Sequence, residues 1–189
     1  ISDTAVTGAG LNVMLSKGGD VPPAGPLVNC GRRALYGRSV SGSHAIKDKD
    51  QVTIEFASSY RRYTTCIMRT VVVGSVSSVQ RDMFSVVSDA ITEMTNAAGP
   101  NIPIGNIDDA HRRVFDEAGQ KVHRYSACGS SLGATFRPSW MDVPPMIYSG
   151  NPLLCEPGMV LFLHAMLENT ETGYAMSFGD TLLITKKGR

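Results

Sequence analysis

The order of segments in this amino-acid sequence predicts an α+β fold. Two segments rich in β-branched residues, 51–57 and 63–74, precede two amphipathic helical segments, and two further strand-like segments close the chain. Because strands and helices are grouped apart rather than alternating, we expect neighbouring strands to pair mostly antiparallel. The 189 residues, of which 42% are hydrophobic, suffice for a substantial core, and we expect a single domain spanning 1–189.

The first fifty residues give weak signals. Residues 1–17 carry a poor apolar helix pattern that stops at Gly18 and Gly19. After the VPPAGP turn and the short segment LVNCG, the chain is polar up to KDKD and contains Gly37 and Gly42, so we predict a loop there that ends in a turn.

The first pair of strands is better defined. Segments 51–57 and 63–74 are β-branched and partly alternating, and the short SSYRR link between them predicts a hairpin. Side chains alternate between the two faces of a strand, so Ile54 and Phe56 share one face and Glu55 lies on the other.

Two helices follow the hairpin. The first begins at Ser77 or Ser78, whose hydroxyl groups can cap it, and keeps an apolar i, i+3, i+4 pattern up to Gly99. The second runs from about Gly105 to a stop at Gly119, where glycine allows the left-handed conformation that ends many helices. The rest of the chain is a long Gly, Ser and Pro-rich loop over 123–158 and then two strands, 159–167 and 173–185, joined by ENTET.

Charge and hydropathy exclude two classes of partner. The chain has 18 basic and 17 acidic residues and no Lys/Arg block, so we expect no nucleic-acid binding. A membrane-spanning helix needs about 20 consecutive apolar residues. The longest apolar stretch, Met159 to Leu167, is shorter and contains His164, so we expect no membrane partner.

The N-terminus and the cysteines indicate the compartment. The chain begins ISDTAVTGAG, without a basic start or an apolar signal core, so we expect a trimmed, soluble, cytoplasmic protein. Cys30, Cys66, Cys128 and Cys155 show no metal-knuckle spacing, and a domain of this length needs no disulfide bonds to fold. We therefore expect free thiols.

Three segments carry a resemblance to a known family. CEPGMV (155–160), GDTLLITKKG (179–188) and the hairpin sequence KDKDQVTIEFASSYRRYTTCIMRTVVVG (47–74) resemble the catalytic domain of the creatinase / Xaa-Pro aminopeptidase / methionine aminopeptidase family. The resemblance implies the pita-bread fold: a curved, mostly antiparallel sheet with helices packed on one side. It also implies a further helix before residue 1, a missing N-terminal domain in the parent protein, and a homodimer.

The resemblance also implies where metal ligands would lie. In metal-dependent members two Asp, one His and two Glu bind two divalent ions. These positions fall on Glu55, Cys66, Ser130, His164 and Gly179, the last beside Asp180. Two hard cations about 3.5–4 Å apart need several carboxylates to bridge them and to neutralise their charge. We therefore expect no dinuclear site and no cofactor; if a metal is present, its ligands would be Glu55, Cys66 and His164.

The glycine-rich loop points to a metal-independent branch of the same family. HRYSACGSSLGATFRPSW (123–140) is similar to the corresponding loop of creatinase-like and ectoine-hydrolase-like enzymes, which cleave C–N bonds of small nitrogen-rich substrates. This resemblance implies that Glu55 acts as nucleophile or base and His164 as its proton-transfer partner. The substrate, a small polar metabolite, would be bound by the residues Arg137, Ser130, Ser131, His123 and Arg124.

Each of these residues also has a plainer interpretation. Glu55 could be a solvated edge-strand residue, and His164 a core histidine. Cys66 could be a small apolar residue, a thiolate ligand or a nucleophile. His44, in an upstream loop, is a further candidate for proton transfer, although the matching family position falls near Ser39. A non-catalytic binding domain and a metallo-dipeptidase or aminopeptidase remain alternative functions.

Overall fold

The computed structural model describes residues 1–142 and 145–189 and confirms the α+β class. Its helices and strands, in chain order, are α1 (Asp3–Ser16), β1 (Leu27–Cys30), β2 (Gln51–Tyr60), β3 (Tyr63–Val72), α2 (Ser78–Ala97), α3 (Gly105–Glu117), β4 (Gly129–Leu132), β5 (Val160–Asn169) and β6 (Tyr174–Leu183). A short 3-10 helix, Gly31–Leu35, follows β1. The strands form one sheet in the order β1-β2-β3-β6-β5-β4, and every neighbouring pair is antiparallel.

The long predicted elements are present, with ends that differ from the predicted ones by a few residues: β2 continues to Tyr60, so only two residues of the predicted SSYRR link remain as the turn. Arg61 and Arg62 take positive φ angles of 50° and 72° in the two-residue turn that joins β2 to β3. Ser77 caps α2, because its side chain accepts a hydrogen bond from the backbone of Gln80 while the Gln80 side chain accepts one from the backbone of Ser77. The weak helix over 1–17 is confirmed as α1, which Ser2 caps.

Two short strands were not predicted: β1 falls on the LVNCG segment, for which no element was predicted, and β4 falls in the predicted loop over 123–158. β1 and β4 have four residues each and form the two edges of the sheet. Four residues are too few to show a period of two, and glycine with two serines in β4 gives no β-propensity signal. These two strands therefore form because they pair with the long strands β2 and β5, and not because of their local sequence.

All three helices pack on one face of the sheet. Met94 of α2 and Phe115 of α3 pack with Leu163 of β5 in the main core, and Val6 of α1 packs beside Val28 of β1. The opposite face carries a smaller apolar cluster that includes Met68, which is covered by Trp140 from the long loop. None of the helices in the described ranges is both long and apolar enough to cross a membrane.

Candidate functional site

A single row of residues across the open face of the sheet brings Glu55 and His164 to the same surface. Glu55 on β2 pairs with Met68 on β3, Met68 pairs with Gly179 on β6, and Gly179 pairs with His164 on β5. Directly paired residues of antiparallel strands point to the same face. Gly179 has no side chain, which lets His164 and the Phe162 ring pack closely against its backbone.

Arg38 joins the two ends of this row. It lies in the loop after the 3-10 helix, and its Nη1 is 3.2 Å from Glu55 Oε1 while its Nη2 is 3.1 Å from His164 Nε2. The guanidinium group therefore contacts both predicted catalytic side chains. Sequence patterns do not single out Arg38, because a loop arginine has no periodicity and no motif. The one signal was the family position near Ser39, one residue away.

Burial shifts the pKa of both residues toward their neutral forms. Glu55 is 1% exposed; burial raises the pKa of its carboxyl group to about 7, although Arg38 acts in the opposite direction. Burial lowers the pKa of His164 well below its ordinary value, and Arg38 lowers it further, so the ring is neutral near pH 7. Arginine can only donate, so His164 Nε2 accepts from Arg38 and the ring proton resides on Nδ1.

Arg38 also forms part of the wall of a cleft open to solvent. The cleft has a volume of about 290 Å³, and Leu27, Val40, Ser139 and Trp140 also line it. Glu55 and His164 lie behind Arg38 and do not line this cleft. A ligand that enters it therefore meets the guanidinium group first.

A larger groove lies on the opposite face of the sheet. It has a volume of about 580 Å³ and runs between α1 and strands β2 and β3, where Val13, Phe56 and Ile67 line it. None of its lining residues is titratable, so this groove offers no chemistry for acid–base catalysis.

The two serines of the glycine-rich loop point in opposite directions. Ser130 pairs with Phe162 and so lies on the face that carries His164, whereas Ser131 pairs with Leu161 on the helix face. Only Ser130 is thus placed toward the open face, because β4 turns the predicted loop into a strand with alternating side chains.

The other predicted substrate-binding residues are dispersed. The His123 ring lies 3.3 Å from the Asn169 side chain at the far end of β5, and Arg124 extends toward Asp116 of α3, with Nη2 3.8 Å from its carboxylate. Arg137 is exposed and is not among the residues that line the cleft beside Arg38. The structure does not bring these three residues together with Glu55.

His44, the further candidate for proton transfer, is engaged elsewhere. Its Nδ1 lies 3.2 Å from the buried carboxylate of Asp3 at the start of α1. The backbone of His44 also donates to Asp3, so the histidine holds the loop against the helix.

The residues at the family's metal positions do not fit a pair of divalent ions. Glu55 is the one carboxylate of the five positions, and a cationic guanidinium group lies against it. Burial raises the pKa of the Cys66 thiol, and Glu55 adds to this effect, so a thiolate is disfavoured there. Within the described residues, Glu55, Cys66 and His164 are not among the side chains whose ligand atoms lie within 4.8 Å of one another. Asp180, next to Gly179, lies on the helix face and forms an ion pair with Arg69.

Comparison with known proteins decides the family. The model of metallopeptidase family M24 matches residues 1–186. The chain belongs to metallopeptidase family M24. As an M24 domain it is 26% identical over 176 residues to the Xaa-Pro dipeptidase of Pyrococcus furiosus, a match that covers 93% of the chain and 49% of the relative. It is 27% identical over 188 residues to the Uncharacterized peptidase YqhT of Bacillus subtilis, covering 100% of the chain and 52% of the relative.

Solved structures confirm the pita-bread fold of the M24 domain. The prolidase from Pyrococcus furiosus superposes with a TM-score of 0.91 at 24% identity and covers 100% of this chain and 54% of its own. The X-Pro aminopeptidase from Thermotoga maritima gives a TM-score of 0.91 at 16% identity, covering 100% of this chain and 52% of its own. The M24 domain thus spans about half the length of the relatives it matches.

Proposed function

We propose that the protein containing this M24 domain hydrolyses a C–N bond in a small polar metabolite without a catalytic metal ion. The observation that carries the proposal is the contact of Arg38 with both Glu55 and His164, on the face of the sheet where the family binds its metal ions. A fixed cation supplied by the protein here takes the place of the charge that bound metal would provide.

Glu55 is the general base in this proposal. A group that exchanges a proton with water at neutral pH works best with a pKa near 7, and burial gives Glu55 that value. Glu55 takes a proton from water as the water oxygen bonds to the carbon of the C–N group. The same proton then passes to the leaving nitrogen as the C–N bond breaks, so the carboxylate is regenerated.

Arg38 and His164 orient the substrate. Arg38 presents a guanidinium group to the cleft, which suits a carboxylate on the substrate through paired hydrogen bonds. The Nδ1–H of His164 has no hydrogen-bond partner in the part of the chain that the structure describes, so it is available to donate to a substrate oxygen or nitrogen. We propose that Arg38, rather than Arg137, anchors the substrate carboxylate, and that Ser130 lies beside it.

We also propose that a part of the protein outside residues 1–189 completes the site. Residues 1–189 act as one catalytic-type domain, and a second protomer of a homodimer, or an N-terminal domain, completes the cleft beside Arg38. The domain spans about half the length of its relatives, which supports this arrangement.

The test uses the full-length protein and a panel of carboxylate-bearing guanidino, ureido, cyclic amidine and Xaa-Pro compounds. Glu55→Gln should abolish turnover of any compound that the wild type cleaves, while the matched variant Glu171→Gln, in the exposed turn between β5 and β6, should keep it. Full activity of Glu55→Gln would overturn the assignment of Glu55.

A second candidate is a binding domain that has lost its chemistry. It is favoured by one observation: Glu55 and His164 lie behind Arg38 and do not line the cleft. In that case the wild type would bind a compound from the panel without forming product. Arg38→Met would bind the same compound with lower affinity. Turnover that depends on Glu55 would exclude this candidate.

A further inference from the structure

A second cluster of chemically active side chains lies outside the row of Glu55 and His164. Asp108 and His111 are on α3, and Cys128 immediately precedes β4. One ligand atom from each residue lies within 4.8 Å of the other two, and all three residues are buried. This is the one group of three such side chains that the described residues bring within that distance.

Helix geometry explains how two of the ligands meet. Residues three apart on an α-helix project from the same side, so Asp108 and His111 converge on the edge of the sheet where Cys128 enters β4. The same i, i+3 spacing of a carboxylate and a histidine serves as a metal-binding pair in helical bundles.

The hydrogen bonds of Asp108 leave one of its oxygens free. Oδ2 accepts from Arg112 Nε at 2.7 Å and from the backbone of Ser149 at 2.9 Å, which fixes the carboxylate plane. In the described part of the chain Oδ1 makes no hydrogen bond of ordinary length and faces the other two members of the cluster, His111 and Cys128; the ring nitrogens of fully buried His111 likewise make none. Buried polar atoms without such hydrogen bonds are costly, and a bound ion would satisfy all three side chains at once.

The spacing of these atoms matches a tetrahedral ion better than a hydrogen bond. Asp108 Oδ1 and His111 Nδ1 are 3.5 Å apart. Hydrogen bonds from nitrogen to oxygen are about 2.7–3.2 Å long, whereas two ligand atoms about 2.1 Å from a tetrahedral zinc ion lie about 3.4 Å from each other.

We propose that Asp108, His111 and Cys128 bind one zinc ion. A carboxylate and a thiolate neutralise the two charges of Zn²⁺, and the mixture of oxygen, nitrogen and sulfur donors is one that zinc accepts. The ion takes one further ligand such as water. It joins α3 to the sheet edge at β4 and so stabilises the fold rather than catalysing the reaction proposed above.

The surrounding charges set the conditions for binding. Arg112 and Arg124 are close to the cluster and oppose a cation, so both anionic ligands are required.

Cobalt is a spectroscopic probe for this site. The untagged chain, stripped of metal with a chelator, is titrated with Co²⁺ while the near-ultraviolet thiolate-to-cobalt band and the visible bands of tetrahedral cobalt are recorded. We expect both bands to appear with one Co²⁺ per chain and to disappear when Zn²⁺ is added. A wild-type protein without a thiolate-to-cobalt band would overturn the proposal.

Cysteine variants locate the ion. Cys128→Ser should lose the thiolate band, while Cys30→Ser, Cys66→Ser and Cys155→Ser should each keep it, and these are all the cysteines of the chain. If Cys128→Ser does not fold, retention of the band in the other three still assigns the sulfur by elimination. Loss of the band in any of those three folded variants would place the ion elsewhere and contradict the proposal. Because no readout is an activity, failure of this site leaves the role of Glu55 untouched.

Discussion

At the scale of the residue, Glu55 couples the stability of the fold to pH. Burial disfavours the charge and raises the pKa of its carboxyl group from the ordinary 4.5 to about 7 in the folded protein. The folded state therefore binds more protons than the unfolded state between these values, and the free energy of unfolding falls as pH rises through this window. The difference in pKa corresponds to about 3 kcal/mol.

Glu55→Gln removes this pH dependence. The free energy of unfolding of the variant minus that of the wild type should be about 3 kcal/mol larger at pH 8 than at pH 5. The wild type loses stability over this range as Glu55 ionises, whereas glutamine cannot ionise. Urea unfolding of both proteins at the two pH values measures the difference, and contributions of other titrating groups cancel in the comparison. An equal stability difference at both pH values would show that Glu55 titrates normally.

Gly179 lies at a position where the close packing around His164 leaves no room for a side chain. A Cβ atom there would lie 2.9 Å from the Leu163 carbonyl oxygen and 3.0 Å from the Phe162 ring. We expect Gly179→Ala to lower the free energy of unfolding by about 1–3 kcal/mol and to displace His164, its strand partner. Gly8→Ala is the matched control, because a Cβ atom at this exposed position of α1 would have nothing within 4 Å. It should stabilise the protein by up to about 1 kcal/mol.

At the scale of the element, helix α2 shows how closely local sequence determines a boundary. Ser77 and Gln80 form a reciprocal capping box, with hydrogen bonds of 3.2 Å and 3.0 Å between each side chain and the other's backbone. These bonds satisfy backbone groups that the first turn of a helix leaves unpaired.

Ser77→Ala should lower the free energy of unfolding by about 1 kcal/mol, because the cap is lost. The control Ser85→Ala changes an exposed residue inside the same helix and should raise stability by a few tenths of a kcal/mol, as alanine has the higher helix propensity. Chemical denaturation of both variants provides the comparison. A destabilisation of the same size at Ser85 would rule out capping as the cause.

At the scale of the whole molecule, sequence patterns predicted the helices and strands that are long enough to show a hydrophobic period. The hairpin of β2 and β3, helices α2 and α3, and the closing strands all have enough residues for a visible period. The edge strands β1 and β4 form only through pairing with distant strands, so their sequences do not indicate them.

Some residues of the candidate site were likewise predicted from sequence and others were not. Glu55 and His164 were predicted because each is a polar residue in an apolar strand at a family position. Arg38 was not, because its contact with both residues depends on where a loop without a motif folds back over the sheet. The opposite directions of Ser130 and Ser131 likewise became visible only once β4 was known to be a strand.

Metal content per chain of the full-length wild type, Glu55→Gln and His164→Gln, measured by elemental mass spectrometry, tests the central claim most directly. The claim is that Arg38, and not a metal ion, supplies the positive charge between Glu55 and His164. The account predicts the same metal content in all three proteins, since any bound zinc lies at Asp108, His111 and Cys128. Metal ions present in the wild type and lost from both variants would contradict it.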